Sequence, residues 1–140
     1  MSEQLTVMIR FAVLCLALAG CPASSPSGPQ RAHVTGKITF AGQPVPYGTV
    51  SFIPPEGSGL PVSGAEIRDG KYDVRNLGGV PVGTHRVEIN GWATPPQKME
   101  AADLVAPAAP PLIPEKYNTK SELSLTVESN RPLEQNFDLE

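Results

Sequence analysis

Ala65-Glu66-Ile67-Arg68-Asp69-Gly70-Lys71-Tyr72-Asp73-Val74 is the stretch that decides the fold class. Tyr72 and Val74 alternate with Lys71, Asp73 and Arg75, so one face is apolar and the other polar. That period of two belongs to a half-buried strand. Asp69-Gly70 sits between two such runs, and a tight hairpin turn needs the positive φ that glycine adopts freely. A few residues on, Val80-Pro81-Val82-Gly83-Thr84-His85-Arg86-Val87-Glu88-Ile89 repeats the pattern, with His85, Val87 and Ile89 inward and Arg86, Glu88 and Asn90 outward.

Working outward, the alternation continues in both directions. Val34, Ile38 and Phe40 share a face of a first strand, and Val50 and Phe52 mark a second that ends at Pro54-Pro55. Ala41-Gly42-Gln43-Pro44-Val45-Pro46 reads as a turn and edge segment, because two prolines remove two ladder donors. Ala65 and Ile67 form the third strand, Tyr72 and Val74 the fourth, and Val87 and Ile89 the fifth. Leu123, Leu125 and Val127 define a sixth; Leu133, Phe137 and Leu139 define a seventh. Seven short strands without a helical stretch predict an all-β, antiparallel sandwich over residues 33–140, enough chain for two sheets around one core. One connection, 91–121, is longer than compact domains ordinarily carry. Within it, Lys98 to Val105 has the composition for a turn or two of helix. Leu112-Ile113-Pro114-Glu115-Lys116-Tyr117-Asn118 has the apolar content to dock on the sandwich, leaving the first half of the loop mobile.

Composition agrees with strands and turns. The 140 residues include 16 Pro and 13 Gly, which disfavour helices. A net charge of -3 leaves no basic footprint for nucleic acid.

The N-terminus reads as an address. Phe11 to Ala19 is an apolar run, preceded by Arg10 and followed by Gly20-Cys21-Pro22. It is too short to span a bilayer but has the length of a signal-peptide core. Leu18-Ala19-Gly20-Cys21 resembles the bacterial lipobox, so 1–20 is expected to be a signal peptide and Cys21 the site of lipidation. Glu3 is unusual in such a leader, and a start at Met8 would give a tidier one. Cys15 then departs with the leader, and the mature chain keeps no free thiol, disulfide or Cys-based metal site; a Cys15–Cys21 disulfide would require the apolar segment to be retained. Residues 21–32, rich in Pro, Ser and Gly, form a tether between lipid and domain. The membrane is thus a partner through the N-terminal lipid, and the expected location is the cell envelope. Pro22 in place of the Asp that marks inner-membrane retention favours the outer membrane.

Val34-Thr35-Gly36-Lys37-Ile38-Thr39-Phe40, Gly42-Gln43-Pro44-Val45 and Gly48-Thr49-Val50-Ser51-Phe52 resemble the opening of carboxypeptidase regulatory-like domains. Asp69-Gly70-Lys71-Tyr72 and Pro81-Val82-Gly83-Thr84-His85-Arg86-Val87 match that family's D-G-x-Y and P-x-G-x-Y-x-V motifs, with His85 where an aromatic is usual. The ending Ile113-Pro114-Glu115-Lys116-Tyr117-Asn118, Ser121-Glu122-Leu123, Val127 and Phe137-Asp138-Leu139 is similar to a lipoprotein subgroup abundant in planctomycete bacteria. The resemblance implies a seven-stranded transthyretin-like (prealbumin-like) sandwich that serves as a structural or binding module, without catalysis or cofactor.

Candidate sites are few. His85 is expected in the core with one ring nitrogen hydrogen-bonded; His33, the only other His, leaves it without metal-binding partners. Glu66, Asp69 and Asp73 surround a turn but lack the spacing of a calcium loop. Ser24, Ser25 and Ser51 sit in no nucleophile elbow. Transthyretin-related hydrolases end in a Tyr-Arg-Gly-Ser-type tail, whereas this chain ends Phe137-Asp138-Leu139-Glu140. Trp92, the sole Trp, would with Tyr117 form an aromatic platform for a carbohydrate or protein partner, or else cap one end of the core. The alternatives to a non-catalytic module are an envelope enzyme and a subunit of a surface or secretion assembly joined through a sheet edge.

Overall fold

The Asp69-Gly70 turn has the geometry its residues favour, with φ of 50° at Asp69 and 72° at Gly70. What it joins is less regular than a hairpin. The computed structural model describes residues 28–95 and 110–140. In it the strands are β1 (Arg31–Ala32), β2 (Val34–Phe40), β3 (Gln43–Pro44), β4 (Tyr47–Ile53), β5 (Ser63–Arg68) and β6 (Lys71–Val74). Next come β7 (Val80–Pro81), β8 (Gly83–Trp92), β9 (Ser124–Val127), β10 (Leu133–Glu134) and β11 (Phe137–Leu139). The only helical pieces among the described residues are single 3-10 turns at Asn76–Gly78 and Glu115–Tyr117.

β5 and β6 pair only at Arg68 and Lys71. Beyond that point β6 leaves for β2, pairing Val34 with Val74 through to Lys37 with Lys71, while β5 stays with β4. Backbone bonds draw the turn toward β2: Ile38 N–H donates to the Gly70 carbonyl at 2.7 Å, and Gly70 N–H to that of Val45 at 2.7 Å. The hairpin is therefore the corner of a sandwich-like, curled arrangement. One layer holds β10, β11, β2, β3 and β6; the other orders β5, β4, β8 and β9.

Their inner faces meet in one core. Val34, Ile38, Tyr72, Val74, Phe137 and Leu139 face Val50, Phe52, Ile67, Val87, Ile89, Leu125 and Val127. Tyr72 ties the layers, its ring 6.2 Å from that of Phe52 and 6.3 Å from that of Phe137. Its hydroxyl donates to the Gln135 carbonyl at 2.8 Å, and burial pushes the phenol pKa up.

Several expectations are corrected. The described residues carry eleven strand segments rather than seven: four are two-residue pieces, and the expected last strand breaks at Gln135-Asn136 into β10 and β11. Both of these run parallel to β2, so the sheets are not purely antiparallel. Arg31 and Ala32, assigned to the tether, pair with β7, and Ala32 is fully buried, so the domain begins before His33. Val45, read as an edge residue, is sealed in the core. Gly91 and Trp92 close β8 instead of opening the long loop. The proposed helix at 98–105, and the first half of that loop, lie outside the described residues.

The second half packs along β8. Leu112 N–H donates to the Gly91 carbonyl at 2.7 Å, and Ser121 Oγ to that of Val87 at 2.5 Å. Ile113 is 1% exposed. It fills the space above Gly91, where a Cβ would come within 2.7 Å of its Cγ1 and 2.8 Å of Val45 Cγ1.

Strand direction gives the sandwich two poles. The starts of β2, β5 and β8 and the ends of β4, β6 and β9 share one pole with β1. The ends of β2, β5 and β8 share the other with the Asp69-Gly70 turn, Pro111 and Glu140.

Candidate functional site

At the far pole, register sets an aromatic row on an outer face. Tyr47, first in β4, stands opposite Trp92 of β8 on one side and Arg68 of β5 on the other. Directly paired antiparallel residues share a face, with Cβ atoms about 4.5–5.5 Å apart. Tyr47 and Trp92 are half-buried and Arg68 is exposed. The Arg68 guanidinium donates to Glu66 at 2.6 Å, and that bond raises the arginine pKa. Two amphipathic rings beside a guanidinium make a surface that stacks on sugar rings or peptide planes.

Trp92 and Tyr117 do not stack on one another. The ring pairs among the described residues are Phe52 with Tyr72 and Tyr72 with Phe137. Tyr117 straps the chain end: its hydroxyl donates to the Glu140 carbonyl at 2.9 Å and accepts from Glu140 N–H at 3.0 Å. The backbone bond to Glu140, then the Lys116 ammonium, lower its pKa. Sequence reading missed Tyr47 as the neighbour of Trp92, because only the β4–β8 register brings the two together.

Where β5 and β6 part, an open cleft of about 570 Å³ lies over the outer face of β2 and β6. Thr35, Lys37, Glu66, Lys71 and Asp73 line it. Lys37 and Lys71 are direct cross-strand partners, a like-charge pairing that costs stability. Asp73 is already satisfied. Arg75 Nε donates to its Oδ2 at 2.6 Å, and His33 Nε2 lies 2.5 Å from its Oδ1. Arg75 first, and His33 after it, hold the Asp73 carboxyl below the ordinary carboxylate range.

The remaining candidates resolve into packing and surface roles. His85 is 1% exposed, with Nε2 2.7 Å from the Pro81 carbonyl oxygen and Nδ1 without a partner. Of the carboxylates around the turn, Glu66 and Asp73 already face arginines. Among the described residues no cluster of three or more His, Cys, Asp and Glu forms a metal site.

Two exposed apolar side chains were not singled out from sequence. Val62 and Leu77, at the pole that holds β1, are the exposed large hydrophobics among the described residues. The signal was Leu77 itself, directly before Gly78-Gly79 in a connector with no core to serve.

Leu18, Ala19, Gly20 and Cys21 lie outside the described residues. Among the described residues no helix is long and apolar enough to cross a membrane. No protein-family model matches the chain, and comparison with curated proteins and with solved structures likewise gives no match.

Proposed function

We propose that this chain is a lipid-anchored envelope protein whose sandwich, of the transthyretin-like type, is a non-catalytic binding or structural module. Cys21 carries the lipid, the Pro/Ser/Gly segment spaces the domain from the bilayer, and the far pole meets a carbohydrate or protein partner. The observation that carries the reading is polarity. The tether enters beside β1 and β7, while the row Arg68, Tyr47 and Trp92 lies at the opposite end of the strands. A lipid on Cys21 thus leaves that row at the end of the domain farther from the attachment point. The lipobox residues and the Pro22 that follows them support an outer-membrane address.

Mass spectrometry of the native protein's N-terminal peptide tests the anchor. A diacylglycerol adduct on Cys21 is expected; an unmodified chain still carrying residues 1–20 would overturn it. Titrating envelope glycans and peptides against Trp92 emission tests the module. Trp92→Ala should abolish binding and leave the fold intact.

A second reading, a subunit of a surface assembly, is favoured by the free edge of β9, whose only strand partner among the described residues is β8. Association that rises with protein concentration in sedimentation experiments would favour it.

A further inference from the structure

Leu77 is 82% exposed, and its backbone has φ 53° and ψ 25°, the left-handed region that bulky residues seldom occupy. The turn around it is closed by Gly78 N–H donating to the Arg75 carbonyl at 2.9 Å and Gly79 N–H to that of Asn76 at 3.0 Å. Glycine or asparagine is the ordinary occupant of such a position. A leucine held there, pointing into solvent, is strain at a place where packing gains nothing, and such strain points to function. Val62, 59% exposed, belongs to the same pole, since Ser63 Oγ beside it donates to the Gly79 carbonyl at 3.3 Å.

The tether leaves from this spot. Arg31 Nη1 donates to the same Gly79 carbonyl at 3.0 Å, and the Gln30 carbonyl accepts from Val82 N–H at 2.8 Å. From Cys21 to Gln30 the chain takes nine steps, which span at most about 30 Å when fully extended. The pole that bears Leu77 and Val62 therefore cannot move farther than that from an anchored lipid. Loops at this pole carry Glu56 and Glu128 as well as Arg131, so the surface has mixed charge and its attraction is apolar.

We propose that the tether pole is a membrane-contacting tip, in which Leu77 and Val62 enter the interfacial region of the bilayer that holds the Cys21 lipid. The proposal rests on the lipid-anchored reading above. A short apolar tip and an acyl anchor are two weak signals that together fix what one alone holds loosely. The contact also fixes orientation. With β4 seven residues long, a rise of about 3.3 Å per residue puts the Trp92 row roughly 20 Å farther from the lipid.

The test uses the full lipidated chain in phosphatidylethanolamine/phosphatidylglycerol vesicles with brominated acyl chains, which quench an indole only at close range. The wild-type protein carries Trp92 alone; Leu77→Trp and Val62→Trp each add a reporter at the tip. Emission of the wild type should be unaffected by bromine, while the emission added by each variant is quenched. Flotation with the vesicles but no quenching in either variant would overturn the tip and leave the anchor standing. Quenching of the wild type would overturn it too, because the far pole would then face the lipid. Unquenched variants that sediment as dimers would assign the patch to a second copy of the chain. Failure of the wild type to float at all would sink the anchor, and the tip with it.

Discussion

At the far pole Ile113 sits above Gly91, sealed from solvent beside Val45, and Tyr117 binds the last residue of the chain. At the pole that holds β1, Leu77 stands in solvent on a left-handed turn, and Val62 is exposed at the same end. The same sandwich thus ends in a packed cap on one side and an open, strained rim on the other. The contrast separates two uses of apolar residues. At the cap Ile113 and Val45 hold the fold; at the rim Leu77 costs it stability and is free to meet something else. Equivalent substitutions should therefore have opposite signs at the two poles.

The largest effect belongs to the cap. Ile113→Ala removes a fully buried aliphatic side chain and should cost about 2–5 kcal/mol in denaturant-induced unfolding. A loss under about 1 kcal/mol would mean that residues 110–121 merely lie against β8 without sealing it. Gly91→Ala follows, at about 1–3 kcal/mol, because the new methyl presses on Ile113 and Val45. The two changes share one space, so the double variant should be less damaged than the sum. Additive costs in that cycle would break the account of the cap.

At the rim the sign reverses. Leu77→Gly removes the left-handed penalty of about 1–2 kcal/mol and gives back about 0.5–1 kcal/mol in chain entropy. The net is a stabilisation of about 0.5–1 kcal/mol, readable as a raised denaturant midpoint. A destabilised variant would show that Leu77 packs on something within the domain, and the contrast between poles would fail.

How much of this was legible follows from which signals are local. Asp69-Gly70 announced its turn, because positive φ at both positions is a property of those two residues. Alternation placed Val34, Ile38, Tyr72, Val87 and Ile89 inward, and the apolar content of Leu112-Ile113 marked a segment able to dock. What alternation cannot carry is direction or register. The period of two is the same for parallel and antiparallel strands, so β10 and β11 running parallel to β2 left no trace. The hairpin signal around Asp69-Gly70 was equally silent on β6 crossing to β2, which Ile38 and Val45 secure from elsewhere in the chain. The outer-face row was half legible: Trp92 was visible as the sole Trp, but Tyr47 became its neighbour only through the β4–β8 ladder.

The smallest expected effect sharpens the rim, where Asp73 is held by Arg75 and His33 at the end of β6. Its pKa is lowered in the folded chain, chiefly by the Arg75 hydrogen bond, so the folded state binds the proton more weakly than the unfolded one does. The stabilisation is therefore complete above the ordinary carboxylate range and is lost as pH falls through the depressed folded value. These groups are open to water, so salt should weaken the effect as well. Asp73→Asn removes the titrating group. The urea midpoint of the wild type should exceed that of the variant at neutral pH, and the gap should close as the solution is acidified. A gap that stays constant with pH would mean that Asp73 acts through hydrogen-bond geometry which asparagine fails to copy, rather than through charge. It would place the polar side of the rim, like Ile113 at the cap, among the fixed parts of the fold.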